Sequence, residues 1–225
     1  MTPWELLGKA VLPGQGGELR LYRRGKEYSI RADRLELMNS RTHASEEALS
    51  ELVCARLTDR REACVLIGGL GLGFTLGAAL RHLGDAAQVV VAELVPAVVE
   101  WNRGPLGDLA GRPLSDKRVT VQHADVCRLL RKAKAEFDAV ILDVDNGPEG
   151  LTQQQNNWLY GHAGLRATHA ALRPRGLLAI WSAGPSPGFA RWLHAAGFAA
   201  EEHFVRARPG YKGGHHTIWL ATRRE

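Results

Sequence analysis

The chain has 225 residues, of which 45% are hydrophobic and 24% are charged, and its formal net charge is +5 at pH 7. This composition is that of a folded globular protein and argues against a disordered chain. No apolar stretch approaches the roughly 20 residues of a membrane-spanning helix, and the N-terminus lacks the basic and apolar regions of a signal peptide. We therefore expect a cytoplasmic protein without a membrane partner.

The N-terminal part of the chain has the alternating pattern of a β-hairpin. Between Glu18 and Met38, short runs of alternating apolar and polar residues flank an Arg-Arg-Gly-Lys turn. Ser45 then predicts the N-cap of a helix, because Glu46 and Glu47 follow in the first turn, where acidic side chains are favourable. This helix would join a small β appendage to the rest of the protein.

The rest of the chain alternates predicted strands with predicted helices. The apolar runs typical of buried strands read CVLI, QVVVA, RVTV and AVILD. Such alternation indicates βαβ units and therefore a parallel sheet with helices on both faces. A helix over about residues 156–172 and a strand LLAIWS are expected next. Two further extended segments, separated by the turn-rich PGYKGGH, are typical of a hairpin at the edge of the sheet.

The predicted fold class is therefore α/β. Its main part is a Rossmann-like sheet that is mostly parallel and carries an antiparallel C-terminal hairpin strand, and a small N-terminal β appendage precedes it. We place the appendage at residues 1–44 and the Rossmann-like nucleoside-binding domain at residues 45–225.

A glycine-rich turn marks the first candidate site. The segment VLIGGLGLG, residues 65–73, runs from an apolar strand into a turn that precedes a predicted helix. Because glycine has no Cβ and tolerates positive φ, such a turn lets a ligand approach the backbone closely. Gly69, Gly71 and Gly73 therefore predict a nucleotide or nucleoside crevice. A tight turn that serves only helix packing is the alternative.

Three carboxylates follow successive predicted strands. Glu93 ends the next strand, about 20 residues beyond Gly73, where related folds place an acid that accepts hydrogen bonds from ribose hydroxyls. Asp125 follows the third strand, and Asp143 ends the fourth. Ligands of open parallel sheets bind outside the carboxyl ends of the strands, so these acids and the glycine turn are expected to face one crevice.

Two common phosphate-binding motifs do not fit the glycine turn. In Gly-x-Gly-x-x-Gly, the third glycine would fall at Phe74 or Leu76, which disfavours an NAD site. A Walker A loop would need Gly-Lys-Ser/Thr, which does not follow.

The cysteines indicate buried, reduced thiols. Cys54, Cys64 and Cys127 are far apart and form no Cys-x-x-Cys pair. His215 and His216 are adjacent, so on a strand they would point to opposite faces and could not easily bind one ion. We therefore expect no metal.

With these residues placed, the chain resembles the class I S-adenosylmethionine-dependent methyltransferase superfamily and, within it, the spermidine synthase-like branch. The matching segments are VLIGGLGLG, VVVAELVPAVVEWN, RVTVQHADV, FDAVILDVDNGPEGL and ALRPRGLLAIWS. The β appendage and the C-terminal hairpin also match. The resemblance implies a methyltransferase-type sheet and suggests a homodimer.

The resemblance also implies what binds in the crevice. The donor would be decarboxylated S-adenosylmethionine or S-adenosylmethionine, and the turn of Gly69, Gly71 and Gly73 would pass beneath its amino acid or aminopropyl part. Glu93 would hold the ribose hydroxyls, and Asp125 would face the adenine.

Asp143 matches the aspartate of aminopropyltransferases that orients the attacking amine and helps to deprotonate it. An amine that is protonated in water must lose its proton before it attacks the carbon beside a sulfonium. Glu47, Asp145 and Asn146 are further candidate contacts to the amine acceptor. The resemblance thus implies aminopropyl transfer to an amine, as in polyamine metabolism.

Departures from the family pattern keep other functions open. Where spermidine synthases usually have Asp-Ser-Ser-Asp-Pro, this chain has Asp-Val-Asp-Asn from Asp143 to Asn146, followed by Gly-Pro. Aligned without gaps, the family's Tyr-His-Glu falls on residues 45–47, and only the final Glu is retained. The alternative is methyl transfer from S-adenosylmethionine to a small molecule or RNA, and a third possibility is a catalytically silent nucleoside-binding protein. Lys and Arg are spread along the chain, which favours a solvated surface over an RNA site.

Overall fold

The computed structural model describes residues 2–13, 17–33, 35–144, 157–208 and 214–224. In this part of the chain the strands form two sheets. The strands of the first sheet are β1 (Glu5–Val11), β2 (Glu18–Arg24), β3 (Glu27–Ala32) and β4 (Leu35–Asn39). They pair antiparallel in chain order.

The predicted N-terminal hairpin is confirmed by the pairing of β2 with β3. Gly25, with φ 61°, lies in the turn between them, and this backbone angle favours glycine. Leu19, Leu21 and Ile30 are buried on the inner face of the hairpin and belong to the same hydrophobic cluster as the main sheet. The N-terminal sheet is therefore packed against the core of the rest of the protein.

The second sheet is mostly parallel. Its strands are β5 (Cys64–Gly68), β6 (Gln88–Glu93), β7 (Val119–His123), β8 (Phe137–Leu142), β9 (Leu172–Ser182), β10 (Phe198–Arg206) and β11 (His215–Arg223). The order across the sheet is β10-β11-β9-β8-β5-β6-β7. Strands β5 to β9 run parallel, whereas β11 is antiparallel to β9 and β10 is antiparallel to β11. The predicted α/β fold and its C-terminal hairpin are confirmed.

Helices connect and cover these strands. They are α1 (Ala44–Cys54), α2 (Phe74–His82), α3 (Pro96–Arg103), α4 (Val126–Lys132), α5 (Asn157–Tyr160), α6 (His162–Ala171) and α7 (Phe189–Ala195). Short 3₁₀ turns lie at Gly107–Ala110 and Pro113–Ser115. Within the described ranges, no helix has both the length and the apolar character needed to cross a membrane.

Two expectations about helices are wrong. Ser45 does not cap α1, because the helix begins at Ala44 with His43 in the cap position. The buried Ser45 hydroxyl instead bonds to side chains of the sheet. The helix expected over residues 156–172 is divided into α5 and α6, because Gly161 between them has the extended backbone angles φ −82° and ψ 173°.

The alternation of side chains sorts the sheet residues into two buried layers. Ile141 and Ala179 belong to the layer that also contains Leu49 of α1. Leu142 and Ile180, one position later in β8 and β9, belong to the opposite layer. The same alternation decides which side chains at the carboxyl edge of the sheet lie on the side of α1.

Candidate active site

The glycine turn between β5 and α2 has the backbone that its sequence predicts. Gly69, Gly71 and Gly73 have φ angles of 85°, 52° and 86°. A Cβ on Gly69 would lie 2.5 Å from the carbonyl oxygen of Asp143, and one on Gly71 would lie 3.0 Å from the Sδ of Met38. The backbone angles and close neighbours therefore account for glycine without a ligand. The nucleoside role of the three glycines stays a prediction.

Asn102 in α3 holds this turn in place, and the sequence analysis missed it. The residue is 2% exposed, and its Nδ2 donates to the carbonyl oxygens of Gly71 and Val98, both at 2.9 Å. A polar residue within the predicted helix after Pro96 was the available signal, but its partner in the turn depends on the fold.

Glu93 ends β6 and binds the same turn. Its Oε2 accepts the backbone N–H of Leu70 at 2.9 Å, and its Oε1 accepts that of Val95 at 2.8 Å. Burial raises the pKa of Glu93, and the backbone N–H donors oppose this shift. The N–H groups of Leu94 and Gly71 also lower this pKa, and the contact of Glu93 with ribose hydroxyls stays a prediction.

Asp125 lies at the neighbouring position on this edge, after β7, where it caps α4. Its Oδ1 accepts the backbone N–H of Cys127 at 2.8 Å. The cap explains an acid at this position without a ligand. Contact of Asp125 with adenine therefore stays a prediction.

Asp143 directly follows β8, and its carboxylate is held by a hydroxyl group. The Oγ1 of Thr75 donates to the Oδ2 of Asp143 at 2.5 Å. Burial of the carboxylate raises the pKa of Asp143, and the bond from Thr75 opposes that shift. A carboxylate with a raised pKa is a better proton acceptor when ionised, which suits a general base.

Thr75 is the second residue that the sequence analysis missed. It is 2% exposed, and its carbonyl oxygen accepts the hydroxyl of Ser50 at 2.6 Å. A single hydroxyl group at the start of the apolar helix α2 was the only local signal. Through Thr75, the helix after the glycine turn is linked to Asp143.

The neighbours Glu46 and Glu47 have different surroundings. The Oε1 of Glu47 pairs with Arg81 at 2.8 Å, and its Oε2 lies 3.2 Å from the Nδ1 of His43. Glu47 also lines a cavity of about 610 Å³ that it shares with Arg81. Burial and then the negative charge of Asp143 raise the pKa of Glu46 well above its ordinary value. Of the two glutamates, Glu46 is thus the one whose pKa responds to the charge of Asp143, and the predicted substrate contact of Glu47 stays a prediction.

A cluster of polar and aromatic groups adjoins Glu46. The Nε1 of Trp181 donates to the Oγ of Ser45 at 3.0 Å, and the Nδ1 of His216 lies 2.7 Å from the same oxygen. The Trp181 and His216 rings pack edge to face with their centroids 4.7 Å apart. Burial lowers the pKa of His216, which favours the neutral ring.

Two of the predicted substrate contacts, Asp145 and Asn146, lie outside the described residues.

The three cysteines are free. Burial raises the pKa of Cys54 to about 11 and that of Cys127 to about 12, which makes both thiols poor nucleophiles. Among the side chains that the structure describes, no group of three or more His, Cys, Asp or Glu residues could hold a metal ion.

A comparison with known protein families identifies the family to which this site belongs. A family model described as the spermine/spermidine synthase domain matches residues 42–185, which include the glycine turn and the edge carboxylates. The chain belongs to the spermine/spermidine synthase family. The resemblance seen in the sequence is thereby confirmed.

Curated relatives of this spermine/spermidine synthase family member are named polyamine aminopropyltransferases. The chain is 33% identical over 165 residues to polyamine aminopropyltransferase 1 of Streptomyces coelicolor, and the aligned region covers 65% of this chain and 30% of that protein. It is 29% identical over 204 residues to the polyamine aminopropyltransferase of Mycobacterium tuberculosis, and this aligned region covers 87% of this chain and 36% of that protein. The chain thus spans about a third of the length of these relatives.

Solved structures agree with the fold of this family member. The crystal structure of spermidine synthase from Thermotoga maritima matches with a TM-score of 0.75 and 18% identity. The match covers 97% of this chain and 72% of that chain. At this identity the likeness shows the fold alone.

Proposed function

We propose that this chain is an aminopropyltransferase that moves the aminopropyl group of decarboxylated S-adenosylmethionine to an amine. The observation that carries the proposal is Asp143, whose backbone adjoins the glycine turn and whose carboxylate accepts the Thr75 hydroxyl and has a raised pKa. The family of the chain and the names of its relatives support the reaction type.

The residues at the carboxyl edge of the sheet fit such a donor. Glu93 offers acceptor oxygens to ribose hydroxyls, and Asp125 lies after the neighbouring strand, where an adenine would be placed. The donor's sulfonium supplies the electrophile, so the protein has mainly to position the reactants and accept a proton.

In the proposed reaction, the amine nitrogen attacks the aminopropyl carbon that is bonded to sulfur. A C–N bond forms while the C–S bond breaks, and the electron pair of the broken bond stays on sulfur, which becomes a neutral thioether. The proton of the amine passes to Asp143, whose carboxylate is held by Thr75. General-base assistance of this kind typically contributes about 100-fold to 10,000-fold in rate.

Turnover with and without the Asp143 carboxylate tests the proposal. We expect the wild-type protein to convert decarboxylated S-adenosylmethionine and a diamine into an aminopropylated amine and a thioether nucleoside. Asp143→Asn is expected to lose about 100-fold or more in kcat while its donor affinity is largely kept. Product quantification by chromatography and donor titration by calorimetry give the two readouts.

Three other outcomes of these assays would change the proposal. Methylated products formed from S-adenosylmethionine, with none from the decarboxylated donor, would reassign the activity to methyl transfer. A wild-type protein inert with both donors and with broad amine and RNA panels would leave only nucleoside binding. Full activity of Asp143→Asn would overturn the role of Asp143.

A further inference from the structure

The half-buried Glu46, in the first turn of α1, has no cation partner among the described residues. Burial, the charge of Asp143 and the charge of Glu47 all raise the pKa of Glu46. Among the described residues, neither a hydrogen bond nor an ion pair engages the Glu46 carboxylate. Burying a charge without a partner is costly, and a like charge nearby increases that cost. A positively charged ligand would remove this energetic cost.

Two acids that the structure describes, Glu47 and Asp138, show how a carboxylate is compensated by cations. Glu47, the next residue, pairs with Arg81 at 2.8 Å. The buried Asp138 pairs with Arg173 at 2.6 Å, and a second arginine binds its other oxygen. Glu46, by contrast, has neither an arginine nor a hydrogen-bond donor at its carboxylate among the described residues.

Strand alternation places an aromatic side chain on the same side of the sheet. In the parallel pair β8 and β9, Ile141 lies beside Ala179, and both belong to the layer of α1. Asp143 and Trp181 each follow two positions later, so both side chains fall on that side, at the carboxyl edge. Trp181 packs against the same layer and is only partly buried.

Ser45 fixes the first turn of α1 above this edge. Its hydroxyl bonds to Trp181 and His216, at 3.0 Å and 2.7 Å. Because Glu46 is the next residue, these bonds hold its backbone close to the ends of β9 and β11. The turn of α1 that carries Glu46 is thus held at the edge of the sheet to which the side chains of Asp143 and Trp181 belong.

We propose that Glu46 is a specificity-determining residue that binds an ammonium group of the amine acceptor together with Asp143 and the face of Trp181. This inference rests on the proposed function and assigns a residue to its acceptor side. Carboxylates attract an ammonium group, and an indole ring adds a cation–π attraction. The principal acceptor contact thereby moves from Glu47, which the resemblance implies, to Glu46.

The order of the strands assigns Glu46 to the acceptor rather than to the donor. The glycine turn and Glu93 follow β5 and β6, on one side of Asp143. Trp181 and His216 belong to β9 and β11, on the other side, and Ser45 ties Glu46 to them. A nucleoside above β5 and β6 leaves the side of Glu46 to the second substrate.

Charge-neutral variants of three glutamates on α1 test this inference with 1,4-diaminobutane as the acceptor. Glu46→Gln is expected to raise the acceptor KM about tenfold or more, with the donor KM close to the wild-type value. Glu51→Gln, which removes an exposed carboxylate of the same helix, is the control and should match the wild type. Glu47→Gln compares the residue implied by the resemblance with its neighbour. Calorimetric titration of the diamine gives a second readout that needs no turnover.

The outcomes separate the inference from the proposed function. Diamine binding that depends on Glu46 in a protein without turnover would support the inference and overturn the aminopropyltransferase assignment. Turnover with an unchanged acceptor KM in Glu46→Gln, or a larger loss in Glu47→Gln, would overturn the inference alone. A rise confined to the donor KM would place Glu46 on the donor and overturn it as well. A wild-type protein that neither binds nor uses diamines would overturn both.

Discussion

Two interactions shift the pKa of the Asp143 carboxyl group in opposite directions. The hydroxyl of Thr75 donates to it and favours its ionised form, whereas burial favours the protonated form. The charge of Asp143 in turn raises the pKa of Glu46. The balance of these interactions sets the pH above which Asp143 can accept a proton. Thr75 is therefore expected to act as a positioning residue for the proposed base.

Thr75→Val removes this hydroxyl while nearly preserving the shape of the side chain. We expect kcat to fall about tenfold or more, because a hydrogen bond to a charged group contributes about 1.5–3 kcal/mol. Loss of the donor raises the pKa of Asp143 further, and the base works only when ionised. The acid limb of the kcat profile should therefore move to higher pH, which rate measurements across that limb will show.

Thr75→Ser is the matched control, because it keeps a hydroxyl at the same position. Its acid limb should stay close to that of the wild type. A Val variant whose pH profile coincides with the wild-type profile would show that Thr75 has no influence on Asp143.

At the scale of elements, the strands were predictable because their apolar runs are local properties of the sequence. CVLI, QVVVA and AVILD form β5, β6 and β8, and the expected acids follow at one edge of the sheet. The errors lie where tertiary contacts decide. Ser45 has the chemistry of a helix cap, but Trp181 and His216 engage its hydroxyl.

The candidate site was predicted less completely than the fold, for the same reason. Successive helix residues point about 100° apart, so the orientation of α1 decides whether Glu46 or Glu47 faces Asp143. That orientation is set by packing on the sheet, which a residue-by-residue resemblance does not contain. Thr75 and Asn102 were missed because their partners lie on other elements.

The turn between β5 and α2 gives a prediction at this scale. Gly69→Ala should destabilise the protein and displace Asp143, because the new Cβ would lie 2.5 Å from the Asp143 carbonyl oxygen. A positive φ costs an ordinary residue about 1–2 kcal/mol, and overpacking typically costs about 1–3 kcal/mol more. Denaturant unfolding measures the loss in free energy of unfolding.

Gly111→Ala separates the two costs. Gly111 has φ 78°, close to the 85° of Gly69, but no described atom lies within 4 Å of its Cβ position. Its substitution should show the backbone cost alone, and Gly69→Ala should cost at least about 1 kcal/mol more. Equal losses at the two positions would mean that the turn can move away from Asp143.

At the scale of the whole molecule, the N-terminal sheet supports the site. Met38 of β4 packs against Gly71, and the buried residues of β2 and β3 join the core of the main sheet. We therefore propose that the appendage, residues 1–44, and the larger domain, residues 45–225, act together at the glycine turn. The homodimer and the cytoplasmic location stay predictions.

The net charge of +5 does not decide which ligands the crevice binds. Charges are screened over about 8 Å at physiological ionic strength, so nearby groups dominate. Within the described residues, Glu46, Glu93 and Asp143 make the crevice locally acidic. A cationic acceptor is therefore compatible with a basic protein.

The affinity of the wild-type protein for its two candidate donors tests the central claim most directly. S-adenosylmethionine and its decarboxylated form differ by one carboxylate, which the acids around Asp143 should repel. Calorimetry is expected to show at least a tenfold preference for the decarboxylated donor, about 1.4 kcal/mol. A preference for S-adenosylmethionine would contradict aminopropyl transfer, and binding of neither donor would contradict the nucleoside site itself.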